Sequence, residues 1–203
     1  MSERQQRRQP NSFHRTRYAY HEAGHAVAGH VIGRCMSEVS IQSDKNRGYR
    51  GYCAFDAFAE DLQGLPQWRD GSKNPECTTI MYAGTTALRI LCEQQGWKYE
   101  HWRGIDKADV ATISLWSLDM FDTDEERQTM QRECSLQAEA ILTSHWNAVE
   151  ILATALLKQD WLAGGKAHTL IREALGETGY EWRLKGGRLL DHPVEYRISD
   201  EQY

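Results

Sequence analysis

His21-Glu22-Ala23-Gly24-His25 is an HExxH pattern within a stretch, about Tyr18 to Ile32, where Ala19, Ala23, Ala26, Val27 and Val31 recur at helical spacing. No other feature constrains the chain as much. Residues four apart share one face of a helix, so both imidazoles can reach a single ion while Glu22 projects beside them. Gly24 and Gly29 interrupt the same helix, each costing about 1 kcal/mol relative to Ala. Glycines at that cost predict that something packs closely against their face.

In such a site zinc takes neutral imidazole nitrogen, and an open coordination position lets bound water ionise near about pH 7. Glu22 is then the expected general base, accepting the water proton and later passing it to a leaving amine. A third protein ligand must come from elsewhere. The extended HExxHxxGxxH form needs glycine at position 28 and histidine at position 31, where this chain has Ala28 and Val31. The metzincin arrangement is therefore excluded, and His30 is expected to be a partly buried or exposed helix histidine.

A chain of 203 residues can bury roughly 70% of its unfolded surface, so it needs no metal to fold and any metal is expected to be functional rather than structural. Charge is unevenly spread. Arg4, Arg7, Arg8, Arg15 and Arg17 against Glu3 give residues 1–17 a net charge of +4, which leaves the remainder at −9 of the overall −5. The Arg/Gln-rich residues 1–16 read as a disordered basic tail, and the acidic body as a poor general binder of nucleic acid. No apolar run is long enough to span a bilayer or to serve as a signal peptide. The cysteines Cys35, Cys53, Cys77, Cys92 and Cys134 are odd in number and lack a C-x-x-C pair. Reduced, mostly buried thiols and a cytoplasmic location are expected.

Beyond the first helix, Glu38 to Gln42 and Tyr49 to Phe58 alternate as strands of a small antiparallel sheet, and residues 59–73 read as loop. Asn74-Pro75-Glu76 opens a helix whose stripe of Ile80, Met81, Gly84, Ala87, Leu88, Leu91 and Cys92 ends at Gly96. Asp106 and Asp109 open another, carrying Val110, Ile113 and Trp116. Asp122 with Glu125 suggests a capping box ahead of one long helical stretch to about Lys158, and a short helix follows from Lys166 to Leu175. Residues 176–203 form an extension of uncertain structure.

Tyr18-Ala19-Tyr20-His21-Glu22-Ala23-Gly24-His25-Ala26-Val27-Ala28-Gly29 resembles the AxHExGHAVxG helix of the FtsH-type zinc metallopeptidases. Glu38-Val39-Ser40-Ile41, Arg47-Gly48 and Gly51-Tyr52 resemble that family's strand, turn and edge strand, and Ile80-Met81-Tyr82-Ala83-Gly84 its Leu-Ala-Gly helix. The resemblance covers about residues 17–175 and weakens after the zinc helix. It implies a mainly α-helical peptidase domain with a small antiparallel β-sheet, and a third zinc ligand from an aspartate that opens a later helix. Asp109, followed by Val110 and then Ile113, fits that context better than the alternative Asp106, which is followed by Lys107. Both are also ordinary helix-start residues, and Glu139, His145 and Glu150 are further donors.

Two departures matter. Where the family has Arg-Ala-Ala-Glu-Glu this chain has Thr85-Thr86-Ala87-Leu88-Arg89, so an acidic support for the zinc histidines is missing or supplied elsewhere. There is also no Walker A sequence. The expected activity is an ATP-independent zinc metalloendopeptidase acting on peptides or unfolded protein segments, with substrate added as a strand along Gly51, Tyr52 and Cys53. The alternative is a non-catalytic zinc-binding interaction module of the same fold, against which the presence of Glu22 argues. A weaker idea has the arginine tail touching nucleic acid or an acidic partner, and oligomerisation stays open.

Overall fold

The computed structural model describes residues 11–42, 51–55, 75–99, 107–177, 183–185 and 188–190. Helix α1, Asn11–Ile32, is the centre of the arrangement, with α2, Pro75–Gln95, packed along it. Gly24 explains how closely: a Cβ there would lie 2.5 Å from the Ala83 carbonyl oxygen and 2.7 Å from Ala87 Cβ. Tyr20 meets the cluster of Leu88, Leu91 and Cys92, whereas His25 meets Ile80. The two helices therefore run antiparallel through a seam of small residues, as the glycines predicted. Gly96, with φ +64°, closes α2 in the left-handed conformation.

Helices α3, Lys107–Met120, and α4, Asp124–Ser144, pack on the α2 side, and α5, Trp146–Gln159, and α6, Gly164–Leu175, follow. The core lies between α1, α2, α4, α5, α6 and the sheet. Val27, Val39, Leu142, Val149, Leu152, Leu156 and Ile171 are fully buried in it, each stabilising the fold by about 1.5–3 kcal/mol.

Strand β1, Met36–Ser40, is central in an antiparallel sheet of order β2-β1-β3, with β2 at Tyr52–Phe55 and β3 at Trp161–Ala163. Val39 stands opposite both Cys53 and Leu162, and the β1–β2 register shifts between Met36 and Glu38. Gly164 allows α6 to start directly behind β1, because a Cβ there would lie 1.7 Å from the Met36 carbonyl oxygen. Two short strands, β4 at Arg183–Lys185 and β5 at Arg188–Leu190, pair antiparallel within the C-terminal extension.

The mainly helical class with a small antiparallel sheet is thus present, with several corrections. Helix α1 begins at Asn11, so residues 11–16 of the expected tail are helical; the Arg15 guanidinium pairs with the Asp160 carboxylate and donates to the Leu157 carbonyl at 2.9 Å. Residues 1–10 lie outside the described residues, as do the loop expected at 59–73, the N-cap Asn74 and Asp106. Strand β1 starts two residues earlier than expected, and β3 was not foreseen.

The capping box is one residue later than expected. Thr123 accepts from the Glu126 backbone N–H, and the Glu126 carboxylate accepts from the Thr123 N–H, so Asp122 falls outside the helix. The single long helix is in fact two, meeting at an 81° bend. His145 has φ −122° and ψ 27°: its N–H closes α4 on the Ile141 carbonyl, and its own carbonyl accepts from the Ala148 N–H to open α5.

All five cysteines are free, and four are buried. No single described helix is long and apolar enough to cross a membrane.

Candidate metal centre

One turn of α1 brings the His21 and His25 rings edge to face, with centroids 4.6 Å apart. Their Nε2 atoms are 3.1 Å apart, and Asp109 Oδ2, from the first turn of α3, lies 2.9 Å from His21 Nε2 and 3.4 Å from His25 Nε2. Four ligands held tetrahedrally at zinc distances lie about 3.4 Å from one another, so these edges are close to those of a metal-binding face. His21 and His25 are buried and Asp109 nearly so, with side-chain exposures of 5%, 8% and 16%.

The chemistry of the donors agrees. His25 Nδ1 lies 2.7 Å from the Ile80 carbonyl oxygen, which can only accept, so this nitrogen carries a proton and Nε2 is the one that presents a lone pair when the ring is neutral. A carboxylate is likewise an acceptor. Asp109 Oδ2 and His21 Nδ1 are buried without a hydrogen-bond partner among the described residues. His21 Nε2, His25 Nε2 and Asp109 Oδ2 converge on one point, and a set of two imidazoles and one carboxylate fits zinc.

The charges of the cluster act on one another. Burial alone would push His25 down, but the Asp109 carboxylate, with Glu22 and the Ile80 carbonyl, outweighs it and holds the imidazole at about 9. Burial would raise Asp109, yet the two histidines bring it well below the usual carboxylate range. Glu22 is 4% exposed, and its burial raises its pKa against the partial opposition of His21 and His25.

Two glycines shape the surroundings. A Cβ on Gly84 would stand 2.4 Å from His25 Nε2 and 2.7 Å from His21 Cε1, so the bare backbone of α2 forms the back wall. A Cβ on Gly51 would stand 2.5 Å from Glu22 Oε1. Tyr52 and Cys53 continue from Gly51 along β2, opposite Ser40 and Val39. Cys53 Sγ contacts Met36 Sδ at 3.5 Å, and burial with the Glu22 charge pushes its thiol well up.

Of the two competing aspartates, Asp109 is the one described beside the histidines; Asp106 lies outside the described residues. Glu139 pairs with Arg89, Glu150 is exposed on α5, and His145 occupies the bend. The expected acidic support for the histidines does not come from Leu88 or Arg89. Leu88 is core, Arg89 pairs with Glu93 and Glu139, and the Ile80 carbonyl supports His25 instead. The sequence reading missed this backbone atom, which carries no side-chain signal, and the back wall of Gly84.

His30 belongs to a different cluster. It is 6% exposed, and its Nδ1 lies 2.9 Å from Nδ1 of the equally buried His168. The Met36 N–H must donate to His168 Nε2, so His168 donates from Nδ1 to His30, which presents Nε2–H to the Glu177 carboxylate. Burial lowers both histidines: His168 reaches about 3, with help from His30 and Arg172, while Glu177 partly offsets the shift of His30.

No protein-family model matches this chain, and no curated protein is significantly similar to it.

Proposed function

We propose that the chain is a zinc-dependent metallopeptidase of the FtsH-like type, hydrolysing peptide bonds in peptides or unfolded protein segments. One observation carries this reading: Glu22, a buried carboxylate, stands beside three convergent donors on the helix that supplies two of them. A site that merely held a metal would need the ligands and no base.

His21, His25 and Asp109 would hold the zinc. When bound, the ion supplies Lewis acidity at a carbonyl and acidifies water. Glu22 accepts the proton of the attacking water as its oxygen adds to the scissile carbonyl, and returns it to the amine as the C–N bond breaks. Burial makes this carboxylate more basic than one in water, which suits the transfer. Strand β2 has one neighbour, β1, among the described strands, and Gly51 at its start touches Glu22. An extended peptide added to that edge would pass the base with its backbone hydrogen bonds satisfied, which favours unstructured substrates.

Metal analysis with a casein or peptide-library assay tests the proposal. Stoichiometric zinc is expected, with cleavage that falls about 100-fold or more in a zinc-retaining Glu22→Gln variant. Equal activity of zinc-loaded wild type and Glu22→Gln would overturn it. Peptide binding without cleavage by either form would point to the interaction module, and iron in place of zinc to a different chemistry.

A further inference from the structure

We propose that one turn of α2, from Ile80 to Gly84, is the positioning element of the metal centre, with the Ile80 carbonyl setting the His25 tautomer and Gly84 setting the depth of both imidazoles. The inference rests on the metal-binding part of the reading above and adds residues that are neither ligands nor bases.

A histidine ligand must present one nitrogen unprotonated and keep its ring from turning, and the partner of its other nitrogen does both. For His25 that partner is a helix carbonyl at 2.7 Å. Within a helix this oxygen also receives the N–H four residues on, that of Gly84, so one acceptor serves the backbone ladder and the ligand. Being backbone, it cannot rotate away. A carbonyl is also neutral where a carboxylate is charged, so it holds His25 without adding a charge to the centre.

Gly84 acts through space. Its absent Cβ would fall 2.4 Å from His25 Nε2, the donor atom itself, 2.6 Å from His25 Cε1 and 2.7 Å from His21 Cε1. The two helices are close here: a Cβ on Gly24, between the histidines in sequence, would stand 2.5 Å from the Ala83 carbonyl oxygen and 2.7 Å from Ala87 Cβ. A methyl group at position 84 therefore displaces donor atoms rather than loosening the fold, and Ala is otherwise about 1 kcal/mol better than Gly in a helix. Gly29 offers the contrast. It lies on the same helix, but its absent Cβ faces the Phe55 ring, 2.2 Å away, and no ligand.

Zinc titration and cobalt(II) absorption of the full chain test the proposal, neither depending on peptidase activity. Gly84→Ala is expected to weaken zinc at least tenfold and to alter the cobalt bands with little loss of Tm. Gly29→Ala should lower Tm and leave the bands unchanged. Nitrogen NMR of zinc-loaded wild type is expected to find His25 protonated on Nδ1 and metallated on Nε2. A folded Gly84→Ala with wild-type affinity and spectrum would overturn the role of Gly84. Metallation of His25 on Nδ1 would overturn that of Ile80, and this measurement holds even if the variant fails to fold. A wild-type chain that binds no zinc would instead remove the proposed function.

Discussion

Helices α1 and α3 both contribute to the candidate metal centre, yet they are held in different ways. On α1 every residue from His21 to His30 is buried, with Ala23, Ala26, Val27 and Ala28 fully so. On α3 only Ile113 and Ser117 are buried, while Val110, Leu115 and Leu118 are 48%, 64% and 57% exposed. Ser117 adds one side-chain tie, accepting from Gln131 Nε2 at 3.0 Å. Two donors are therefore preset by the core, and the third arrives on a helix with little else to hold it. Closing the centre and docking α3 would consequently be linked: an ion bridging Asp109 to the histidines would stabilise the helix, and anything that loosens the helix would weaken the ion.

The sharpest break in this comparison is Asp109→Ala, which should weaken zinc about 100-fold or more while leaving the core intact, as read by metal titration with Tm. A pair of core substitutions comes next. Leu152→Ala should cost about 2–5 kcal/mol of global stability in denaturant titration, with zinc affinity of the folded chain unchanged. Ile113→Ala should do the reverse, lowering zinc affinity more than global stability. Amide exchange then places the linkage: zinc at 100 times its Kd is worth about 2.7 kcal/mol, and the protection gained should concentrate in 107–120 rather than 19–30.

A smaller effect tests the buried side of α1. His30 and His168 have pKa values lowered in the folded chain, so the unfolded chain binds more protons. Their contribution is complete above the ordinary histidine range of about 6.5 and is lost as pH falls toward the folded values. Stability should drop by on the order of 1–2 kcal/mol between pH 7 and pH 5, and His168→Gln should flatten that slope in denaturant midpoints. The smallest effect is expected for Leu118→Glu on the outer face of α3, within about 0.5 kcal/mol of wild type.

These differences also explain what was legible. Helix α1 announces itself because its apolar period, its glycines and its two histidines all report one face, and α2 likewise because Pro75 and Gly96 bracket a clean stripe. Asp109 stands out through the context that the resemblance implies rather than through its chemistry, since an acid in a first turn is ordinary. Strand β3 is three residues long and follows a helix, too short for an alternation to register. At the His145 bend no glycine or proline stands near, and apolar residues continue through it, so only tertiary packing marks the corner. The start of α1 is polar and is secured from far along the chain by Asp160.

Asp160 is the one described non-glycine residue with positive φ, at 60°. Its N–H ends α5 on the Leu156 carbonyl, its carbonyl receives the Ile41 N–H at 2.8 Å, and its carboxylate meets Arg15. Conformation alone would favour glycine here, and a glycine would keep both backbone bonds while abandoning the arginine. Across any set of relatives, positions 15 and 160 should therefore change together: arginine with aspartate, or a neutral residue with glycine.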